Sequence, residues 1–400
     1  MSREVVTRVM RLFEGHFGRQ ASGIGCAPGR VNLIGEHVDY CGGLVLPIAL
    51  ERITAVAAST REGHDGVEVV SEAGPVHGGV NVYVQGVAAL WQERLGMKGG
   101  EGGLQVAVAS DVPLGAGLSS SAALEVATAS ALSRVWGWWG NQAQVEGRWR
   151  EVTALCRRAE HEYAGVPCGI MDQYVSVYGA RGHAILIDCE EKCEGKVEHR
   201  VVPLGVKGKN VRVVVADCGV RHALNDGGYA QRRRSCERAF AEIQRVARES
   251  GAGQGPVNLR RSSLEDLARA KGLDQEAIGC ATHVIQECQR TIEAADALAS
   301  GDLARAGRCV NASHESLRNL FKVSCLELDR LVEVARSLRG VVGARMTGGG
   351  FGGCIVALID DQGDVQEIME ALRVKGGSPL VFETGAGDGA MRLYSEGAGK

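Results

Sequence analysis

Residues 113–123 read PLGAGLSSSAA, a glycine turn that runs straight into three hydroxyl residues and then into a helical spacing of Ala122, Glu125, Val126, Ala129 and Leu132. The arrangement has the makings of an anion cradle. Glycine admits positive φ and close approach of the backbone, and the first N–H groups of a helix point outward at its positive end. Serine adds donors and a hard oxygen suited to Mg²⁺. Serine is also an ordinary helix N-cap, so the stretch alone does not decide between a cradle and a cap. It is not a Walker A loop, because no Gly-Lys-Ser/Thr follows, and it lacks the third glycine of a dinucleotide fingerprint.

A second cluster lies upstream. Residues 29–47, GRVNLIGEHVDYCGGLVLP, place Arg30, Glu36, His37 and Asp39 within ten residues between apolar runs, with Gly35 free to turn the chain. Carboxylates and an imidazole can bond several hydroxyls of a polyol at once, and a guanidinium can address a phosphate or steady an acid. Downstream, Asp172 follows a Pro-Cys-Gly turn and is flanked by Ile170 and Met171, a setting for a carboxylate held at a lobe surface as a general base. Glu160 reads either as a Mg²⁺ ligand or as a helix surface residue.

The wider chain is that of a soluble globular protein. Of 400 residues, 45% are apolar and 23% charged, and the formal net charge is −3, which points to neither nucleic acid nor a membrane as partner. The charged opening segment predicts no secretory signal, and no run approaches a membrane span. Thirteen scattered cysteines without a CxxC pair suit a reducing compartment, so the cytoplasm is the expected location and a monomer the expected state.

Runs rich in β-formers predict strands near 44–50, 53–58, 104–108, 184–187, 211–216 and 355–359. Helical periodicity puts Cys236, Phe240, Ile243 and Val246 on one face, and Val284, Cys288, Ile292 and Ala295 on another. The triplet Arg232–Arg234 reads as a solvated face. Strands before about residue 216 and helices after it predict two α+β lobes, 1–205 and 206–400, divided near 202–209, with the last residues able to return to the first lobe. Gly99, Gly100, Gly102 and Gly103, and Gly251–Gly255, read as surface connections.

Together the clusters resemble the GHMP kinase superfamily, and the chain is similar to the galactokinases within it. Residues 29–47 resemble their sugar-binding motif, 112–127 (VPLGAGLSSSAALEVA) the ATP phosphate loop, 166–179 (VPCGIMDQYVSVYG) the segment with the catalytic aspartate, and 346–354 (MTGGGFGGC) the third motif of the superfamily. The resemblance implies a two-lobed fold with the site in the cleft, and transfer of phosphate from ATP, with Mg²⁺, to the anomeric hydroxyl of α-D-galactose. It implies Asp172 as base, fully or as an orienting group, and Arg30 as the residue that steadies it. Glu36, His37, Asp39, Gly169 and Tyr229 would hold the sugar. Gly115, Ala116, Gly117, Leu118, Ser119, Ser120 and Ser121 would surround the phosphates, and Ser121 and Glu160 would reach Mg²⁺.

Two alternatives share the pattern: an N-acetylgalactosamine or related sugar 1-kinase, and a silent galactose sensor. Sensors of this kind lack the Ser-Ala pair that stands here as Ser121-Ala122. Galactokinases commonly carry Asn-Ser-x-Val-Arg-His where residues 217–222 read DCGVRH, so Asp217 is an added carboxylate expected near the cleft. The segment Trp136–Trp139 reads as a surface insertion or a contact site.

Overall fold

The computed structural model describes residues 2–74, 79–97, 103–138, 145–193, 196–206, 208–221, 228–250 and 255–397. Gly23–Asn32 (GIGCAPGRVN) forms a strand although its glycines and proline disfavour one. The glycines are there because a helix lies against them. A methyl group on Gly23 would stand 2.4 Å from the carbonyl oxygen of Ala131, on Gly25 2.1 Å from that of Ala127, and on Gly29 2.7 Å from that of Leu118. The helix is Ser120–Val135, whose buried Ala123, Ala127 and Ala131 are as small as a helix surface allows.

This strand pairs antiparallel with Pro47–Arg61, which pairs with Gly103–Ser110, and Val67–Ser71 adds to the far edge in parallel. The opposite face is covered by Ser2–Phe17, whose Val5, Val9 and Phe13 recur at helical spacing against Ile53, Ala55, Ala57, Ala107 and Ala109. Pairing slips at Gly29: Pro28 faces Ile53, but Arg30 faces Ala49. A bulge of this kind re-aims the side chain that follows it. Here Arg30 N donates to Leu118 O at 3.0 Å, so the strand passes from its sheet onto the serine loop.

A second antiparallel sheet is ordered Val341–Thr347, Cys354–Ile359, Arg212–Asp217, Leu380–Thr384. Leu303–Ser316 packs on its first strand so closely that a methyl at Gly307 would overlap Val342 O at 1.9 Å. A three-stranded sheet of Leu44–Val45, His183–Cys193 and Lys196–Pro203 packs on Pro47–Arg61 and on Gln275–Ser300. The small hairpin of Gly205–Val206 and Lys209–Asn210 falls where the sequence suggests a boundary, and Lys207 lies outside the described residues. Near its end the chain returns to its first half. Gly387 N donates to Ala49 O at 2.8 Å, Gly389 N donates to Gly179 O at 2.9 Å, and Tyr394 on Ala390–Gly397 meets Trp149 edge-on.

Two side-chain expectations are corrected. Ile292 is 36% exposed, and Thr291 takes its place on the buried face of Gln275–Ser300, because a helix of this length drifts off a strict four-residue step. Arg232 is not solvated: its side chain is 12% exposed and pairs with Glu276 at 2.6 Å, since Gly228–Glu249 packs against Gln275–Ser300. Trp138 packs on buried Trp91 with ring centroids 4.6 Å apart. Trp139, and the connections at Gly99, Gly100, Gly102 and 251–254, lie outside the described residues.

The glycine-faced strand gives a paired test. Gly25→Ala forces a Cβ into backbone and is expected to destabilise the protein by about 1–3 kcal/mol. Gly15→Ala, on an exposed helical site with nothing within 4 Å, is expected to stabilise it by about 0.5–1 kcal/mol. Urea unfolding of both variants checks this, and equal midpoints would refute the packing account.

Candidate active site

Gly115 and Gly117 adopt φ of +64° and +73°, and Ser119, though not glycine, is left-handed at +55° as the N-cap of Ser120–Val135. Buried Ala116 and Leu118 anchor the loop, while Leu114 and Gly115 are exposed at its rim. The other glycine turn stacks against it. A methyl on Gly348 would lie 3.0 Å from Gly117 O, and one on Gly353 3.2 Å from Ala116 O. Two backbone turns thus meet with no side chain between them, leaving N–H groups at the mouth of the helix.

Arg30, 5% exposed, reaches from the bulged strand to Asp172 in the first turn of Met171–Tyr178. Its Nε donates to Oδ1 at 2.8 Å and Nη2 to Oδ2 at 2.9 Å, a two-pronged pair. The third nitrogen, Nη1, donates to Gly117 O at 2.5 Å, and Ser119 Oγ donates to Asp172 Oδ2 at 2.5 Å. One guanidinium therefore ties the carboxylate to the loop. Ser176 Oγ donates to Pro28 O at 2.8 Å and pins the Asp172 helix to the same strand.

Next to this pair lie further acids. Ser121 Oγ donates to Glu160 Oε1 at 3.1 Å, so Glu160 is no surface residue; it is 6% exposed and faces the serine loop. Burial, then the charge of Asp172, pushes Glu160 up from the ordinary carboxylate range. Glu125, fully buried, is pushed well up by burial and by the charge of Glu160. Among the described residues, no three His, Cys, Asp or Glu side chains form a metal cage.

The upstream cluster lines the other side. Asp39, in the short 3₁₀ turn Asp39–Cys41, abuts Gly169, where a methyl would stand 2.0 Å from Asp39 Oδ2. Burial, then the charge of Asp172, pushes Asp39 up to about 7. Glu36 is 2% exposed and pairs with Arg345 Nη2 at 2.5 Å. His37, at φ +59°, is pushed down to about 3 by burial and is therefore neutral. Its two nitrogens lie 3.0 Å from Tyr40 OH and 3.0 Å from Gly349 O, which fixes the tautomer that donates to the carbonyl. Tyr229, from the start of Gly228–Glu249, stands 5.3 Å from the His37 ring and 5.6 Å from that of Tyr40. These residues converge, along with Arg30 and Asp172.

Sequence reasoning missed the buried layer behind them. Arg345 is wholly buried and holds Glu36 and, through Nη1, Asn32 O at 3.0 Å. Gly35 N donates to Glu287 Oε1 at 3.1 Å, Ser313 Oγ donates to the same oxygen at 2.5 Å, and His283 Nε2 meets Glu36 O at 3.0 Å. The available signal was a single Arg in the apolar strand Val341–Thr347. Asp217, 2% exposed, is engaged by Arg221, whose Nη1 donates to Oδ1 at 2.7 Å. Arg221 Cδ would lie 3.5 Å from a methyl at Gly115, so this pair sits beside the serine loop; His222 lies outside the described residues.

Three family models match: the galactokinase galactose-binding signature over residues 11–60, the GHMP kinases N terminal domain over 82–180 and the GHMP kinases C terminal over 294–377. The fold is shared with L. major mevalonate kinase at TM-score 0.63, 21% identity, 92% of this chain and 97% of that one. Fold and stacked glycine turns define a GHMP kinase. A galactokinase of Bos taurus is 39% identical over 98% of this chain and 97% of its own, and one of Chloroflexus aggregans 39% over 96% and 97%. The structure of Lactococcus lactis galactokinase complexed with galactose matches at TM-score 0.81 and 29% identity, covering 96% of this chain and 99% of that chain. The chain belongs to the galactokinase family.

The raised pKa of Asp39 has a definite sign. A carboxyl titrating near 7 in the fold and near 3.8 unfolded favours the folded state below pH 4, and that advantage is lost as pH rises through about 7. Asp39→Asn is therefore expected to flatten the fall in Tm between pH 5 and 8 in sugar-free protein; an unchanged Tm profile would contradict the burial of this group.

Proposed function

We propose that this chain transfers the γ-phosphoryl group of ATP to the anomeric hydroxyl of α-D-galactose, giving galactose 1-phosphate and ADP. Membership of the galactokinase family supports the reaction and the sugar. The observation that carries the site assignment is the Arg30 fork, which holds Asp172 and the Gly117 carbonyl at once. A base fixed relative to the phosphate loop is what in-line transfer needs, because catalysis of phosphoryl transfer is mainly positioning and electrostatics.

In this reading Asp172 takes or orients the hydroxyl proton, and Arg30 balances the charge that the carboxylate and the phosphoryl group share. Glu36, His37, Asp39, Gly169 and Tyr229 are read as the sugar-binding set, with Gly169 leaving room for the Asp39 carboxylate and Arg345 holding Glu36 from behind. Gly115 to Ser121 are read as the phosphate cradle, with the helix start as its positive end. For Mg²⁺, the Ser121 hydroxyl and the buried Glu160 carboxylate, 3.1 Å apart, offer hard oxygens side by side. This donor set fits the ion. When bound, Mg²⁺ would offset the negative charge of the transferring group.

Residues 1–205 and 206–400 are read as the two lobes. The first sheet lies wholly within the former and the second within the latter. Cysteine usage supports a reducing, cytoplasmic setting, where we place the enzyme as a monomer. Among the described residues no helix is long and apolar enough to cross a membrane.

Asp172→Asn is expected to lower kcat for galactose by about 10²- to 10⁴-fold with the fold retained. Coupled ADP release with circular dichroism tests this, and near-normal turnover would remove Asp172 from the reaction. In the unaltered protein, kcat/KM is expected to favour galactose over N-acetylgalactosamine and galacturonate; the reverse order would overturn the sugar.

A further inference from the structure

Behind Ser121 and Glu160 lies a carboxylate that the proposed reaction does not use. Glu125 is one helical turn beyond Ser121 on Ser120–Val135, among buried alanines and valines. Its Oε2 accepts from Gln173 Nε2 at 3.0 Å, and the same nitrogen donates to Glu160 Oε2 at 2.5 Å. An amide nitrogen has two hydrogens, and here both go to carboxylates. The other oxygen of Glu160 is the one that Ser121 Oγ meets, and Cys168 Sγ donates to Oε2 at 3.3 Å. Gln173 is fully buried and adjoins Asp172, so the helical turn that delivers Asp172 to Arg30 also delivers Gln173 to the two glutamates.

The arrangement is directional. An amide can present oxygen or nitrogen to Glu160, and with the nitrogen there its two hydrogens are divided between Glu160 Oε2 and Glu125 Oε2. Glu125 takes the second hydrogen and so holds the amide plane. Burying an acid at this place is costly, and the hydrogen bond it receives there comes from that amide.

We infer that Glu125 is a positioning residue for cation binding: through Gln173 it fixes the Glu160 carboxylate so that the oxygen shared with Ser121 is presented to a divalent ion. This rests on the reading of Ser121 and Glu160 as Mg²⁺ ligands. Partners behind a metal ligand govern affinity because they set its orientation in advance.

The test uses the full chain, Mn²⁺ as probe and a non-hydrolysable ATP analogue, with bound Mn²⁺ read by electron paramagnetic resonance alongside the Mg²⁺ dependence of turnover. Glu125→Leu and Gln173→Leu are each expected to weaken Mn²⁺ binding about 10- to 100-fold and to raise the Mg²⁺ requirement, with the KM for galactose unmoved. Glu125→Gln, which keeps an acceptor for Gln173, is expected to restore most of the affinity. Lower turnover with unchanged Mn²⁺ affinity in both leucine variants would make the role merely structural and overturn the inference. Glu160→Gln separates the underlying reading: if it leaves Mn²⁺ affinity intact, the ligand assignment itself fails. Should Glu125→Leu not fold, Gln173→Leu decides alone.

Discussion

The close approach of Ser120–Val135 to Gly23–Asn32 is the constraint on which the rest depends. A helix can lie with its carbonyls against a strand only where the strand has no side chains; Gly23 and Gly25 meet two successive turns of that helix, and Gly29 meets the loop that precedes it. The depth of this contact sets the height of the serine loop. It also brings Leu118 O to the Arg30 backbone and Gly117 O to the Arg30 side chain. The Asp172 helix is pinned to the same strand at Pro28. Asp172, Arg30 and the serine loop thus share one reference element.

The electrostatics follow from crowding. Glu36, Asp39, Glu125, Glu160 and Asp172 occupy one region, while the buried cations that face them are Arg30 and Arg345. Desolvation and mutual repulsion raise Asp39, Glu125 and Glu160. Such a site is short of positive charge and rich in acceptors. Hydroxyl donors or a cation placed there would relieve that imbalance.

The loop at 113–123 and the cluster at 29–47 were legible because their chemistry is compressed into short stretches. The pairing of Arg30 with Asp172 was not legible from spacing; 142 positions separate them, and only resemblance joined them. Gly23–Asn32 escaped the strand reading because the glycines that weaken its intrinsic preference are the ones its packing needs. Arg345, Glu287, His283 and Ser313 escaped because an isolated polar residue in an apolar run has no periodic signal. Ile292 and Arg232 were misplaced for a similar reason. Periodicity ranks faces of a helix, whereas tertiary neighbours decide which edge of the face is covered.

Residues 386–394 cover surfaces made by residues more than two hundred positions earlier: the edge at Ala49, the turn at Gly179 and the ring of Trp149. During synthesis at roughly 5–20 residues per second, the first sheet leaves the ribosome well before its cover does, by on the order of fifteen to sixty seconds. Throughout that interval the nascent first half carries an open apolar seam, and a chaperone that shields it would act on an unfinished chain.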